Sequence, residues 1–478
     1  MIQSIRRTIA LSFVLLSVAA VTPQAAPDLM REGQAAYAKK EYARSAELYQ
    51  RAYRLDPKQL IALYNAACSL ALGGKKDEAI AALRELADKG YNNPEFLRND
   101  ADFASLKDDP RMGRILAKME KTAEKNPPRA VWAKPYTFLP VPADASTLQA
   151  RLGDAADTMW RDGDVLTFLA RDKGDNVFLS GGIQEPMKRI PGTDLYVAQL
   201  KFADWDHAIV TYTFIHSDLK PGARFVPRVW RGPLAPNVER SKPLKGRIEE
   251  RTLHMEQLGG EERKIKVYLP PNAPKQGLPA FFMADGQGCE EFATALEPLI
   301  LSGKVRPCAI VGVFSGDYAG DRSKGHDPKL DIRGLEYVPG EDDARFAKHL
   351  HFFVDEVGAY VAKEFGISRR RQDLAVTGFS NGGAFSAAVA YRRPEAFGTA
   401  MPLSLGVPTQ DEKPKSPFPR MMFATGTLEG MYPSTKQMYE RMKAEGAEAS
   451  FETYVAGHDP EMWDTAFANM APRVFPNG

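Results

Sequence analysis

Apolar and polar residues follow three different rhythms along this chain, and each predicts a different architecture. From Asp28 to Lys118 the apolar positions recur at helical spacing and the pattern repeats: Gly33 aligns with Ala67, Ser45 with Ala79 and Tyr49 with Leu83, a period of 34 residues. Small residues stand where two helices must approach closely, and large ones fill the groove beside them. Asp56-Pro57 predicts the end of the second helix, because proline donates no backbone hydrogen bond and clashes with the preceding turn. Two units and a degenerate third, Asn99–Lys118, are few for a free-standing solenoid, so packing on the rest of the chain is expected. Between about Ala145 and Val229 the period falls to two. Val165–Ala170, Asn176–Leu179, Leu195–Phe202 and Ala208–Ile215 read as short strands between Gly, Pro and Asp turns, which predicts a small β-sandwich. From about Gly246 onward strands and helices alternate. Lys264–Leu269, Ala280–Ala284, Ala309–Phe314, Leu374–Thr377, Arg420–Ala424 and Phe451–Val455 are the predicted strands; Ala344–Glu364, Ala384–Arg392 and Ser434–Glu445 are predicted helices. Such alternation gives a mostly parallel sheet with helices on both faces, and ligands of such sheets bind at the carboxyl ends of the strands.

A length of 478 residues agrees with a multi-domain chain. The predicted plan is a signal segment (1–26), helical repeats (27–120), a Pro- and Ala-rich linker (121–145), the sandwich (146–235) and an α/β domain (246–478), with Gly232–Pro243 as a second linker. Lys+Arg number 63 against 61 Asp+Glu, a formal net charge of +2, which argues against a nucleic-acid-binding surface. Arg6 and Arg7 precede an uncharged apolar run, Thr8–Val21, and a small-residue exit, Thr22-Pro23-Gln24-Ala25-Ala26. This predicts a secretory signal and a periplasmic or secreted protein. The run is short of the about 20 residues a membrane span needs, so no integral span is expected after cleavage. Only Cys68, Cys289 and Cys308 are present, so disulfides do not organise the fold, and whether Cys289 and Cys308 pair stays open. No Cys/His cluster has metal-ligand spacing, and no metal or organic cofactor is implied.

The candidate chemistry lies in the α/β region. Gly378-Phe379-Ser380-Asn381-Gly382-Gly383 is a G-x-S-x-G string, preceded by a predicted strand and followed by a predicted helix. In that setting the glycines permit a tight turn that lifts the Ser380 hydroxyl above the sheet. A hydroxyl needs an adjacent base to become a nucleophile. Of seven histidines only His458 follows Ser380, directly after the last predicted strand, which fits the chain order serine, acid, histidine. Glu429 follows the strand Arg420–Ala424 and is favoured as the acid. Asp411, in a Lys/Pro-rich loop, is its competitor, and Asp459 is awkwardly placed to turn back on its neighbour. Oxyanion donors are expected from the backbone N–H of Asn381 and of Gln287, with Gly286 as the alternative to Gln287.

The repeat region resembles tetratricopeptide repeats, with Gly33, Tyr49, Ala52 and Pro57 on that family's preferred positions; the resemblance implies a protein partner or simple scaffolding. The region Gly246–Asn477 resembles the enterochelin-esterase-like branch of the α/β-hydrolases, the Putative esterase family. That rests on Asp285-Gly286-Gln287-Gly288, on the string around Ser380, and on Gly457-His458-Asp459 with Trp463. Arg333-Gly334-Leu335-Glu336 looks like the family's Arg-x-x-Glu segment, whose Arg and Glu brace the active-site loops. The β-rich segment looks like the small sandwich of the same enzymes. What the resemblance implies is a serine esterase acting on a small-molecule or glycan-linked ester. Siderophore trilactone hydrolysis does not transfer readily, because those enzymes are cytoplasmic and lack the repeats. A polar, Gly-rich loop, Ser315–Glu341, is expected to be lid-like. Acyl transfer would use the same residues. The rival class is a non-catalytic binding or assembly protein built on an inert hydrolase platform, against which the intact serine, acid and histidine order counts.

Overall fold

The computed structural model describes residues 26–57, 60–125, 136–142, 144–217, 227–320, 328–406 and 417–477. The signal segment up to residue 25, Asp411, and parts of the linker and of the loop Ser315–Glu341 lie outside the described residues. The chain divides into two compact units, Met1–Ala130 and Val131–Gly478.

The first unit is helical: α1 (Ala26–Ala38), α2 (Tyr42–Leu55), α3 (Leu60–Leu72), α4 (Lys76–Asp88), α5 (Pro94–Asn99) and α6 (Pro110–Lys125). Successive helices from α1 to α4 pack on one another. The small residues of the repeat sit at their closest approach. A Cβ on Gly33 would lie 3.0 Å from the Tyr49 ring, and Ser45 Oγ donates to the Gly33 carbonyl at 2.9 Å. Ala67 and Ala79 are fully buried. α2 stops at Leu55, two residues before Pro57, with the Asp56 N–H closing on the Ala52 carbonyl.

The second unit opens with two antiparallel sheets. One contains β1 (Tyr136–Phe138), β2 (Asp157–Asp162), β3 (Val165–Arg171), β6 (Lys188–Arg189) and β7 (Leu195–Phe202) in the order β1-β7-β3-β2, with β6 beside β7. The other contains β4 (Phe178–Gly181), β5 (Glu185–Pro186), β8 (Ile209–Ile215) and β9 (Arg228–Arg231) in the order β5-β4-β8-β9. Alternate residues of each sheet point inward: Phe168 and Leu200 from one share a core with Leu179 and Val210 from the other. A short helix, α7 (Ser146–Leu152), precedes β2.

An eight-stranded sheet follows: β10 (Arg247–Met255), β11 (Glu261–Leu269), β12 (Ala280–Ala284), β13 (Ala309–Val313), β14 (Leu374–Phe379), β15 (Thr399–Leu403), β16 (Arg420–Gly426) and β17 (Ala449–Tyr454). The order is β10-β11-β13-β12-β14-β15-β16-β17. β10 and β11 join antiparallel, and every pairing from β13 to β17 is parallel. Neighbouring residues of β12 face opposite layers. Phe281 packs with Phe292 of α8 (Cys289–Leu301) and Phe467 of α14 (Pro460–Val474). Phe282 joins the core beneath α9 (Ile332–Tyr337), α10 (Asp343–His351), α11 (Val357–Phe365), α12 (Asn381–Arg392) and α13 (Tyr432–Ala444). The predicted helix Ala344–Glu364 is α10 and α11 joined through a wider turn at Phe352–Glu356. Cys289 and Cys308 are buried free thiols and do not pair. Among the described residues no helix is long and apolar enough to cross a membrane.

Candidate active site

Ser380 stands between the last residue of β14 and the first of α12, with φ 58° and ψ −122°, a strained conformation for a residue with a side chain. Its neighbours must be glycine. A Cβ on Gly378 would sit 2.4 Å from the Gly382 carbonyl, one on Gly382 would sit 2.5 Å from Asp285 Oδ2, and one on Gly383 would sit 2.5 Å from the Leu403 carbonyl. The tight bend follows from those three contacts, and it lifts the serine to the carboxyl end of the sheet. Among the described residues the Ser380 hydroxyl takes part in no hydrogen bond, and the ring of His458 bonds only through Nδ1.

His458 and Glu429 are brought together. Glu429 lies in the turn after β16, is 3% exposed, and its Oε2 is hydrogen-bonded to His458 Nδ1. The other carboxylate oxygen accepts from Ser404 Oγ at 2.6 Å, Thr425 Oγ1 at 2.7 Å and the Gly426 N–H at 2.7 Å. Four contacts thus fix the acid's rotamer and leave Oε2 directed at the imidazole. Trp463 completes the surroundings. Its ring stacks on Phe379 at 4.1 Å and 7°, and meets the His458 ring edge-on at 5.0 Å and 88°. His458 is thereby one indole away from the residue that precedes Ser380.

Among the described residues, the other histidines are engaged elsewhere. His216 lies between Asp157 and Asp172 in the β domain, and His349 is walled in, its pKa pushed down to about 4 by burial.

The two proposed oxyanion donors lie on adjacent strand ends. β12 and β14 are paired, and Asp285, Gly286 and Gln287 follow β12 as Asn381 follows β14. Asp285 itself adopts φ 62°, and its carboxylate is gripped in a two-bond fork by Arg333, at 2.6 and 2.7 Å. Glu336 is fully buried. It accepts from Arg263, from Arg345 at 2.9 Å, and from the Gly316 N–H at 2.8 Å. Both residues of the Arg-x-x-Glu segment are therefore occupied in holding loops at the sheet's carboxyl end.

The loop that carries His458 is clamped from both sides. Ile209 of β8 donates to the Val455 carbonyl at 2.8 Å, and Leu428 of the acid turn donates to the Ala456 carbonyl at 2.9 Å. Gly457 touches the β domain so closely that a Cβ there would fall 1.8 Å from the Gly182 carbonyl. Gly457→Ala is accordingly expected to cost about 2 kcal/mol or more in urea unfolding and to lower ester turnover in the same protein. Sequence patterning carried no hint of this seam, because Gly182 and Gly457 are distant along the chain and only the folded sheets bring them together.

Asp459 caps α14, accepting from the Met462 N–H at 3.1 Å, while its Oδ2 faces Gly182 and Thr211. Burial pushes its pKa up to about 7 from 3.8. The folded chain therefore holds this proton more tightly than the unfolded chain, and stability falls as pH rises from about 4 to about 7. Asp459→Asn keeps the cap. It is expected to flatten that slope and to raise stability at pH 8 by up to a few kcal/mol, at about 1.4 per pH unit, as read by denaturation at pH 5 and pH 8.

Comparison with known proteins agrees with this architecture. Residues 256–415 match the model of the family described as Putative esterase. In structure the chain is similar to the enterobactin esterase of Shigella flexneri, crystallised in the presence of enterobactin. The TM-score is 0.51 and the identity 16%, over 69% of this chain and 97% of that one. It is also similar to the ferric enterobactin esterase of Salmonella typhimurium, with TM-score 0.50 and 16% identity, over 69% of this chain and 100% of that one. At such identities the likeness establishes the fold, and the family match supports ester hydrolysis. No curated protein sequence matches the chain.

Proposed function

We propose that this protein is an exported serine esterase that cleaves a small-molecule or glycan-linked carboxylic ester. The observation that carries the reading is the Glu429–His458 hydrogen bond, linked through Trp463 to Phe379, the residue before a strained, glycine-pinched Ser380. In the mechanism, His458 Nε2 removes the hydroxyl proton as Ser380 Oγ attacks the ester carbonyl. Glu429 holds the Nδ1–H tautomer and offsets the imidazolium charge that develops. The backbone N–H groups of Asn381 and Gln287 receive the oxyanion. Collapse of the tetrahedral intermediate expels the alkoxide, which takes the proton from His458 and leaves an acyl-Ser380. Water then attacks the acyl group, with His458 again as base, and frees the acid and Ser380. The signal-like N-terminal segment supports a setting outside the cytoplasm for this chemistry. The helical repeats serve to recruit a protein partner or as a scaffold. A fluorophosphonate probe tests the reading: wild type is expected to label once and Ser380→Ala not at all. Undiminished labelling of the variant would move the nucleophile elsewhere.

A further inference from the structure

We propose that Trp463 and Ser404 act as one positioning unit that holds the nucleophile, base and acid in mutual register. The proposal rests on the catalytic reading above and adds two residues to it. A single indole touches His458 and one neighbour each of Ser380 and Glu429. Its face lies on Phe379, which leads directly into Ser380; it meets the His458 ring at right angles; and its Nε1–H donates to Ser404 Oγ at 2.8 Å. Ser404 Oγ donates in turn to Glu429 Oε1 at 2.6 Å. The link from indole to acid is therefore one buried hydroxyl, working as acceptor on one side and donor on the other.

The backbone at Ser404 argues that the hydroxyl is the reason a serine stands there. Its φ is +46°, a region where glycine is at ease and other residues are strained. The acid does not need this donor to satisfy its buried oxygen, because Thr425 and the Gly426 N–H both reach Oε1. What Ser404 supplies, and the other two do not, is the connection to Trp463. Trp463 in turn rides on α14, the helix that starts just after His458 and is capped by Asp459. A shift of the indole would therefore be felt at the base and at the acid together.

The test uses the full-length protein with p-nitrophenyl acetate as substrate and a fluorophosphonate as label. Ser404→Gly, Trp463→Phe and the pair Ser404→Ala and Trp463→Phe combined are compared with wild type and with Ser404→Ala alone. Ser404→Gly is expected to fold and to melt close to wild type, since glycine relieves the strained φ while the Trp463 Nε1–H loses its acceptor. Its kcat is expected to fall about tenfold to a hundredfold with little change in KM, because small misplacements at a reacting centre are costly. The ascending limb of kcat/KM is expected to move to higher pH, since Glu429 loses a donor and offers more charge to the imidazolium. Trp463→Phe keeps a stacked ring and removes the Nε1–H, so it too is expected to lower kcat and slow labelling of Ser380. Because the indole N–H acts on the acid only through Ser404, the double variant is expected to lose less than the product of the single losses. Full activity in Ser404→Gly, or in Trp463→Phe should the glycine variant fail to fold, would overturn the proposal. So would fully multiplicative losses. If wild type itself does not label at Ser380, the catalytic reading falls and this proposal falls with it. If wild type labels and the variants label at the same rate, the catalytic reading stands and only the positioning unit is lost.

Discussion

Replacing Ser380 by alanine is expected to lower kcat/KM for an activated aryl ester by roughly 10⁴–10⁶-fold, with the melting temperature nearly unchanged. The first half of that expectation comes from chemistry. Without Oγ no acyl-enzyme forms, and only the oxyanion donors and substrate binding remain to assist water. The second half comes from structure. Alanine keeps the Cβ and the same strained backbone, and among the described residues the hydroxyl has no hydrogen bond to lose. Steady-state hydrolysis and thermal melting of the same preparations read both. A variant with near-normal turnover would mean that the strained turn is an inert corner of the sheet.

Glu429→Gln is expected to be nearly as severe, at about 10³–10⁴-fold in kcat. An amide cannot serve both sides of this pocket. Three donors converge on Oε1, so the carbonyl oxygen of the introduced side chain must face Ser404, Thr425 and the Gly426 N–H. The amide NH₂ then faces His458 Nδ1 and can only be accepted there. That forces the imidazole into the Nε2–H tautomer, which cannot take a proton from Ser380. The opposite orientation would set the NH₂ against a buried backbone N–H and leave that donor unsatisfied. KM should move little, since the acid does not touch substrate. Equal effects on KM and kcat would point to a distorted cleft in place of a wrong tautomer.

The parts of this architecture legible in the sequence were those governed by short-range rules. The turn at Ser380 announces itself because a strand, three glycines and a helix must be consecutive for the geometry to exist. His458 and Glu429 were reachable because both follow recognisable strands. β15, by contrast, carries Pro402 in its interior, and proline normally argues against a strand flanked on both sides. β10 reads as a charged surface segment because it is an edge strand rich in Arg and Glu. β2 is half-exposed and bounded by Asp at both ends, which hid its pairing with β3. Pro298 inside α8 masked a helix whose apolar face is otherwise regular. Ser404 left no trace at all. A positive φ at a serine is set by what packs around it, and nothing in Leu403-Ser404-Leu405 signals it.

The strand-like bond between β8 and the segment Val455–Ala456 has a consequence for how this molecule can be taken apart. The β-rich module is bonded directly to the segment that leads into His458, so the boundary drawn from sequence between the two does not mark a place to cut. An excised C-terminal fragment would keep the turn at Ser380 and still lose the hydrogen bond that β8 makes to the segment before His458. Swapping the module for another would have to preserve two glycines on opposite sides of one seam, Gly182 and Gly457.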